Sequence, residues 1–503
     1  MDSEAAVNDQ AGLVGAFSAG LVDGAPGPVE RLDTHLSHVF LTDAYAFKLK
    51  KAVRLPFVDF RTIEQRRTAC AAELEVNRRM APTLYLSVSP VTLDETGRYR
   101  LGGEGRTVDW VVVMRRFDGA HQFDYLARAG ALTTGLAVET AEAVARMHGA
   151  QAPCPLAGHA ADYRAIITEL GRTEAHGASA LNLTAASSAL LSALEHELTR
   201  VSPLIERRRR GGKVRRGHGD LHLSNICVFE AVATPFDALE FDERMATSDV
   251  LYDIAFLLMD LRHFGLGDRA NAVLNAYWDA SGEDEEGLAL LGFFVALRSA
   301  VMTAVSVEQG RLPDADRYRR LGEACLRRDP PAIVVIGGLS GSGKSTVAKA
   351  LAPRLSGPAG ARLLRSDVLR KHGRGLSALP PQACAADART AVYRDLAAHT
   401  AQAASVHASV IADATFQDAE SRSMIETALA GHPWRGFWLD ADLDVRARRV
   451  SGRKGDVSDA DVAVARKQRL DGRLGPGWRC VDASRPLDEI VADIATDLPG
   501  FKP

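Results

Sequence analysis

The 503-residue chain has few features that would assign it to a compartment or a polyanion at sight. Its six cysteines (Cys70, Cys154, Cys227, Cys325, Cys384 and Cys480) are widely scattered, and no two stand at metal-ligand or redox spacing. That excludes a disulfide framework and fits thiols kept reduced inside a cell. Aromatic residues make up 6% of the chain. None interrupts the basic run Arg207–Arg210, Lys213, Arg215 and Arg216, so a stacking platform for single strands is missing. Neither sign of charge dominates: the net charge is −3, and nothing in the balance demands nucleic acid or an anionic membrane. The opening Met1-Asp-Ser-Glu lacks a basic segment followed by an apolar one, so no secretion signal is read. The one long apolar stretch, Leu288–Val307, carries Arg298 at its middle. A central arginine costs a membrane helix roughly 3 kcal/mol or more, so the stretch is expected to be a buried helix of a soluble, cytoplasmic protein with no membrane partner.

The composition is ordinary for a globular protein, with 46% hydrophobic and 25% charged residues, and the length exceeds what one core serves. Residues 1–30 form an Ala/Gly/Asp-rich extension with one short helix. Residues 31–326 read as one module: β-rich to about Met114, helical beyond Phe117. In its first part His38–Leu41 and Tyr45–Leu49 pair around Thr42-Asp43. Thr62–Met80 has helical spacing and stops before Pro82, and Val91–Leu93, Tyr99–Leu101 and Val108–Met114 are further strands. Helices are expected over Thr133–Gly149, Ser187–Arg207, Val250–Phe264 and Glu285–Val307. Arg327-Arg-Asp-Pro-Pro331 is a linker, because two prolines cannot continue a helix. Over 332–503 strand and helix patterns alternate, which predicts a parallel sheet covered on both faces. The fold class expected is thus an α+β two-lobed module followed by an α/β module.

Ala332–Ile336 is a β-branched run, followed by Gly337-Gly-Leu-Ser-Gly-Ser-Gly-Lys-Ser-Thr346 and a helical pattern through Leu355. Gly338, Gly343, Lys344 and Ser345 satisfy the phosphate-loop spacing in its required strand-to-helix context. The glycines, Gly338, Gly341 and Gly343, let the backbone N–H groups of Ser340, Ser342 and Thr346 and their neighbours close on phosphate oxygens at a helix N-terminus. Lys344 supplies a mobile charge to the β/γ-phosphates, and Ser345 supplies an oxygen to Mg²⁺. Val410-Ile-Ala-Asp413 is a strand that delivers Asp413 to the same metal. Leu363-Leu-Arg-Ser-Asp367 is a second strand; it places Asp367 either near an acceptor hydroxyl as an orienting base or at the N-cap of the next helix. Arg446-Ala-Arg-Arg449 and Arg453-Lys454 follow the strand Gly436–Leu439. Residues 332–500 resemble the small P-loop kinases, the group of gluconate kinase, polynucleotide kinase and zeta-type toxins. The resemblance implies that Arg449 and Arg453 belong to a lid that neutralises the transferring phosphoryl group.

The earlier module carries Gly217-His-Gly-Asp-Leu-His-Leu-Ser-Asn225. His218, Asp220 and Asn225 have the spacing of a kinase catalytic loop, with Asp220 accepting the acceptor's hydroxyl proton and Asn225 reaching Mg²⁺. His218 reads as structural. Phe236–Phe241 is expected as a strand with Glu240 and Asp242 at i, i+2 and on one face. With glycine at position 219, the loop resembles the aminoglycoside phosphotransferase-like family, whose resemblance spans 30–310. It implies an aspartate metal ligand near the strand: Glu240 is the nearest positional match and Asp242 lies two residues on. It also implies that Ala46-Phe-Lys-Leu-Lys50 supplies the phosphate-binding lysine. Lys48 and Lys50 share a face, Lys48 fitting the hydrophobic frame better, and Glu73 on the next helix pairs with it. Val111–Phe117 is then the adenine hinge. Asp249 and Asp253, at a family-like helix start, are expected to be structural. No G-x-G-x-x-G loop precedes Lys48, and Thr34–His38 takes the place of phosphate cover. The whole chain is similar to bacterial proteins pairing these two folds. The function expected is transfer of the ATP γ-phosphoryl group, with Mg²⁺, to hydroxyls of small polar molecules by both modules. The alternatives are a polynucleotide 5′-kinase and a regulatory protein with one inactive module.

Overall fold

The computed structural model describes residues 10–25, 29–55, 58–177, 183–371, 386–451, 462–499 and 501. Two compact units emerge from the packing: residues 1–159 with 206–257, and residues 160–205 with 258–503. The linker expected at 327–331 lies within the second of these units, and the helices Leu183–Arg210 and Val250–His263 each contribute to both.

The first unit is built on a six-stranded antiparallel sheet in the order Glu30–Asp33, Ser37–Leu41, Tyr45–Lys50, Arg106–Arg115, Tyr85–Leu93, Tyr99–Leu101. Side chains alternate between its faces. Phe47, Leu49, Val111 and Val113 meet Leu13 and Phe17 of the helix Ala11–Ser18 on one face. Ala46, Val112 and Met114 meet Cys70 of the helix Ile63–Asn77 on the other. That period of two also directs Lys48 and Lys50 to the face that packs on Ile63–Asn77. Thr62 starts that helix with a reciprocal capping box with Gln65. The stripe it turns to the sheet is polar: Arg66, Cys70, Glu73 and Asn77 are all buried, at spacings that share one helical face.

One expected strand does not form. The hairpin Ile226–Phe229/Val232–Pro235 is present, but the chain leaves it at Phe236. Asp237 has φ of +60°, a left-handed turn that ends the extended run. Glu240 and Asp242 therefore do not share a strand face.

In the second unit, five parallel strands run in the order Arg362–Arg365, Val410–Asp413, Ile333–Gly337, Trp434–Asp440, Trp478–Asp482. Ile333–Gly337 is buried throughout, as a central strand covered on both faces must be. The edge strand is closed by side chains. Asn275 Oδ1, on the helix Gly267–Ser281, accepts from the Leu363 N–H at 2.7 Å. Arg362 is buried between Asp279 (2.7 Å) and Glu285 (3.2 Å), and an edge blocked this way offers no template for further pairing. The helix Leu288–Glu308 is apolar and long enough to cross a membrane, but it packs against Ala160–Gly177 and Leu312–Leu326. Arg298 is buried among its core residues. Packing in this way makes it the core helix expected from its sequence.

Candidate active sites

In the first unit, the catalytic loop is held from below by one carboxylate. Asp253 is buried; its oxygens accept from the His218 N–H (2.9 Å) and the Gly219 N–H (2.8 Å), and it meets His148 Nε2 at 3.0 Å. Asp249 is equally buried and binds Arg208 through two hydrogen bonds. Both aspartates thus hold backbone and helix in place, as expected. Gly219 has φ of +83°, and a Cβ there would stand 2.8 Å from Leu239 Cδ1, so the loop needs glycine at this point.

Above that support, Asn225 Nδ2 donates to Asp220 Oδ2 at 2.9 Å and to the Asp220 carbonyl at 3.0 Å. The expected pair is therefore assembled. His222, which sequence reasoning passed over, places Nε2 3.3 Å from Asp220 Oδ2. His218 Nε2 meets the Phe236 carbonyl at 2.9 Å, and the His218 carbonyl accepts from the Leu239 N–H at 2.9 Å. These bonds fasten the segment 236–239 to the catalytic loop, and the Phe236 N–H adds a further bond to the Asn225 carbonyl.

Asp237 is the residue the sequence reading missed. Its N–H donates to Tyr85 Oη (3.1 Å), and the next N–H, of Ala238, donates to Asn77 Oδ1 (2.8 Å). Its carboxylate lies 2.5 Å from Lys48 Nζ and is 38% exposed. Left-handed backbone at a non-glycine residue persists where the surroundings over-determine it, commonly at functional sites. Here bonds to Lys48, Tyr85, Asn77 and the catalytic loop do so.

Lys48 also meets Glu73 at 2.8 Å, as expected, but Glu73 is shared: its second oxygen lies 2.5 Å from Lys50 Nζ. Lys50 in turn pairs with Glu240 at 2.5 Å. Five groups thus alternate in sign as Asp237, Lys48, Glu73, Lys50, Glu240. Burial works against ionisation of Glu73, but the two ammonium groups outweigh it and hold the carboxyl down at about 2. Burial likewise works against the charge on Lys48, and Asp237 and Glu73 overcome it, raising this group well above its ordinary value. Burial pushes the Glu240 carboxyl up against the pull of Lys50.

The two residues expected as metal ligands downstream of the loop both have partners within the protein. Glu240 is spent on Lys50 inside the protein, and Asp242 caps the helix Glu243–Ala246 by accepting from the Arg244 and Met245 N–H groups. Asp237 and Asn225, together with Asp220, carry side-chain oxygens on the segments that meet at the catalytic loop. Among the described residues no group of three His, Cys, Asp or Glu could hold a metal alone. Paired oxygen donors of this kind fit Mg²⁺ arriving with phosphates, since that ion takes one or two protein ligands and keeps its other positions for phosphate and water.

The basic run before the loop is largely occupied internally. Arg208 binds Asp249, Arg209 binds Glu206, and Arg215 donates to the carbonyls of His148, Gly149 and Gln151. The turn at Thr34, offered as phosphate cover, closes the hairpin of the first two strands, with the Thr34 N–H donating to the Ser37 carbonyl.

In the second unit the phosphate loop links Ile333–Gly337 to the helix Lys344–Leu351. Ser345 Oγ donates to Asp413 Oδ2 at 2.6 Å, so the two residues expected at the metal are adjacent. Arg365 Nε lies 3.4 Å from the same oxygen. Asp367 stands in the first turn of the helix Ser366–Lys371 and is ion-paired with Arg370. A cavity of about 500 Å³ opens over Gly341–Val347 and extends to Arg449, Arg485, Leu487 and Ile490. Arg449 donates to the Ser342 carbonyl (3.2 Å) and the Ala483 carbonyl (3.0 Å). Arg453 and Lys454 lie outside the described residues. Arg485 and Leu487 escaped the sequence reading because no spacing links them to the loop some 140 positions earlier.

A lysine–glutamate pair under a sheet, an Asp/Asn catalytic loop and a separate phosphate loop on a parallel sheet define a phosphotransferase joined to a P-loop module. A family model described as the phosphotransferase enzyme family matches residues 37–291, just over half of the chain, and the chain belongs to that family. A model described as an AAA domain matches residues 333–472. Uncharacterized proteins of Mycobacterium tuberculosis and Mycobacterium bovis are 28% identical over 455 residues, 86% of this chain and 88% of theirs. Among solved structures, a choline/ethanolamine kinase family protein from Mesorhizobium loti is 15% identical. The match covers 63% of this chain and 94% of that one, with a TM-score of 0.41. A sugar kinase from Janibacter is 24% identical, over 33% of this chain and 94% of that one, with a TM-score of 0.27.

Proposed function

We propose that the chain is a bifunctional kinase, in which each module transfers the γ-phosphoryl group of ATP to a hydroxyl of a small polar molecule such as a sugar or amino sugar. The observation that carries this reading is the ion pair of Lys48 with both Glu73 and Asp237, on a segment bonded to the Asp220/Asn225 loop. In the first module Lys48, held by Glu73, binds the donor phosphates, and Asp220 orients the acceptor hydroxyl and receives its proton. Asn225 and Asp237 hold the metal, and Asp237 takes the role that the sequence left between Glu240 and Asp242. In the second module the loop N–H groups and Lys344 bind the phosphates, Ser345 and Asp413 hold the metal, and Asp367 faces the acceptor. Arg485 and Leu487 border the nucleotide at the far end of the cavity. Magnesium bound with the nucleotide supplies charge neutralisation on the phosphoryl oxygens. We place the protein in the cytoplasm, where ATP is available to both modules.

The occupied state of the basic run supports a small acceptor over a polynucleotide. The test is product detection by mass spectrometry after incubation with ATP, Mg²⁺ and a panel of sugars, amino sugars, aminoglycosides, sugar acids and 5′-hydroxyl oligonucleotides. A phosphorylated sugar-like product lost in Asp220→Asn or in Lys344→Ala, but not in both, assigns a module. Product from oligonucleotides alone overturns the small-molecule reading. Retention of every product in both variants overturns the sites.

A further inference from the structure

Where the C-terminal phosphate loop meets the segment after the helix Val462–Lys467, Gln468 Oε1 accepts from the Ser340 N–H at 2.7 Å. A backbone N–H can only donate, so the atom facing it must be the amide oxygen, and the amide nitrogen is the free end. Among the described residues Nε2 has no hydrogen-bond partner, and Gln468 is half-buried. The carbonyl of the same peptide group, Leu339 O, accepts from Lys344 Nζ at 3.2 Å. One peptide plane is thereby gripped at one end by the lysine of the phosphate loop and at the other by Gln468.

The neighbouring contacts fix this arrangement. Arg446 Nη1 donates to the Ala465 carbonyl at 3.1 Å, tying the helix before Gln468 to the helix Leu443–Ser451. Gly341, with φ of +86°, lies so close to the backbone of Arg446 that a Cβ would stand 2.4 Å from its carbonyl oxygen. Arg449 reaches the Ser342 carbonyl. Residues 340, 341 and 342 are thus approached by Gln468, Arg446 and Arg449 respectively.

We propose that Gln468 is a nucleotide-contacting residue of this site, its oxygen anchored on Ser340 and its amide nitrogen donated to the terminal phosphoryl group of bound ATP. The proposal rests on the reading of the loop as an ATP site. The choice of an amide argues for it. If bracing Ser340 were the only task, a glutamate would serve at least as well, because a carboxylate is the stronger acceptor for an N–H. Next to a polyanionic nucleotide, however, a carboxylate repels where an amide donates.

The test is calorimetric titration of the full-length protein with Mg·AMP-PNP and with Mg·ADP, in wild type, Gln468→Ala and Gln468→Glu. The relevant binding phase is the one that Lys344→Ala removes. Gln468→Ala is expected to weaken AMP-PNP about tenfold, the scale of one hydrogen bond to a charged acceptor, while leaving ADP nearly unchanged. Gln468→Glu is expected to weaken AMP-PNP more than Gln468→Ala does. Retained ADP binding certifies that each variant is folded. Wild-type AMP-PNP affinity in Gln468→Glu, or equal losses for both nucleotides, overturns the proposal in favour of a bracing role. A wild-type protein with no phase that Lys344→Ala removes overturns the nucleotide-site reading, and this proposal with it.

Discussion

Lys48 Nζ sits 2.8 Å from Glu73 and 2.5 Å from Asp237, so one ammonium group joins the helix beneath the sheet to the segment beside the catalytic loop. Lys50 repeats the arrangement two residues on, between Glu73 and Glu240. Glu73 is fully buried, and its charge is tolerable only because both lysines compensate it.

Removing Glu73 leaves the buried Lys48 and Lys50 with one carboxylate each, and removing Lys50 leaves the buried Glu240 without its ammonium group. Glu73→Ala and Lys50→Met are each expected to destabilise the first unit by about 3–5 kcal/mol. The double variant is expected to cost less than the sum, because the two side chains share one interaction. Urea unfolding of the three variants checks this, and strict additivity contradicts it.

Acid is expected to weaken the fold in two stages. Burial pushes the His218 imidazole below its ordinary value near 6.5, outweighing the attraction of Asp253 and Asp220. It is therefore neutral when folded and takes up a proton on unfolding, so stability falls as pH drops through about 6.5. Glu73, depressed when folded, contributes stability above its ordinary 4.5 that is lost as pH falls toward about 2. His399 has the opposite sign: the Glu285 carboxylate, 3.5 Å from its Nδ1, raises it, giving stability below 6.5 that is lost at higher pH. The unfolding midpoint of His218→Gln, measured from pH 7 to 5, is expected to fall less steeply than that of wild type. An unchanged slope contradicts the assignment.

Arg362 locks the edge of the parallel sheet through Asp279, Glu285 and Asn275. Arg362→Met leaves Glu285 buried without its guanidinium, and a loss of about 3–5 kcal/mol is expected. Adding Glu285→Gln removes the stranded charge, so the double variant is expected to recover part of that loss. Thermal unfolding measures both, and no recovery contradicts the account.

Much of this was legible in the chain. Local signals carried the phosphate loop, because strand, glycines, Lys344, Ser345 and helix are contiguous, and Asp220 with Asn225, because one tight loop fixes their spacing. Period-two alternation put Lys48 and Lys50 on one face, and helical spacing brought Glu73 beneath them. Asp237 was hidden because its neighbours read as a strand. Only its left-handed backbone, set by bonds to Tyr85 and to Asn77 through Ala238, turns it to Lys48, and those partners lie some 150 residues away in sequence. Arg362 and Gln468 were illegible for the same reason: each acts on residues more than 70 positions distant.

The central claim is that Asp237, and neither Glu240 nor Asp242, completes the metal site with Asn225. The most direct measurement is electron paramagnetic resonance of Mn²⁺ with AMP-PNP, using full-length protein that carries Lys344→Ala to silence the second site. Asp237→Asn is expected to weaken bound Mn²⁺ at least about tenfold, on the scale of losing one charged ligand. Asp242→Asn is expected to match the Lys344→Ala parent. Loss of bound Mn²⁺ in Asp242→Asn, with Asp237→Asn unaffected, would contradict the account.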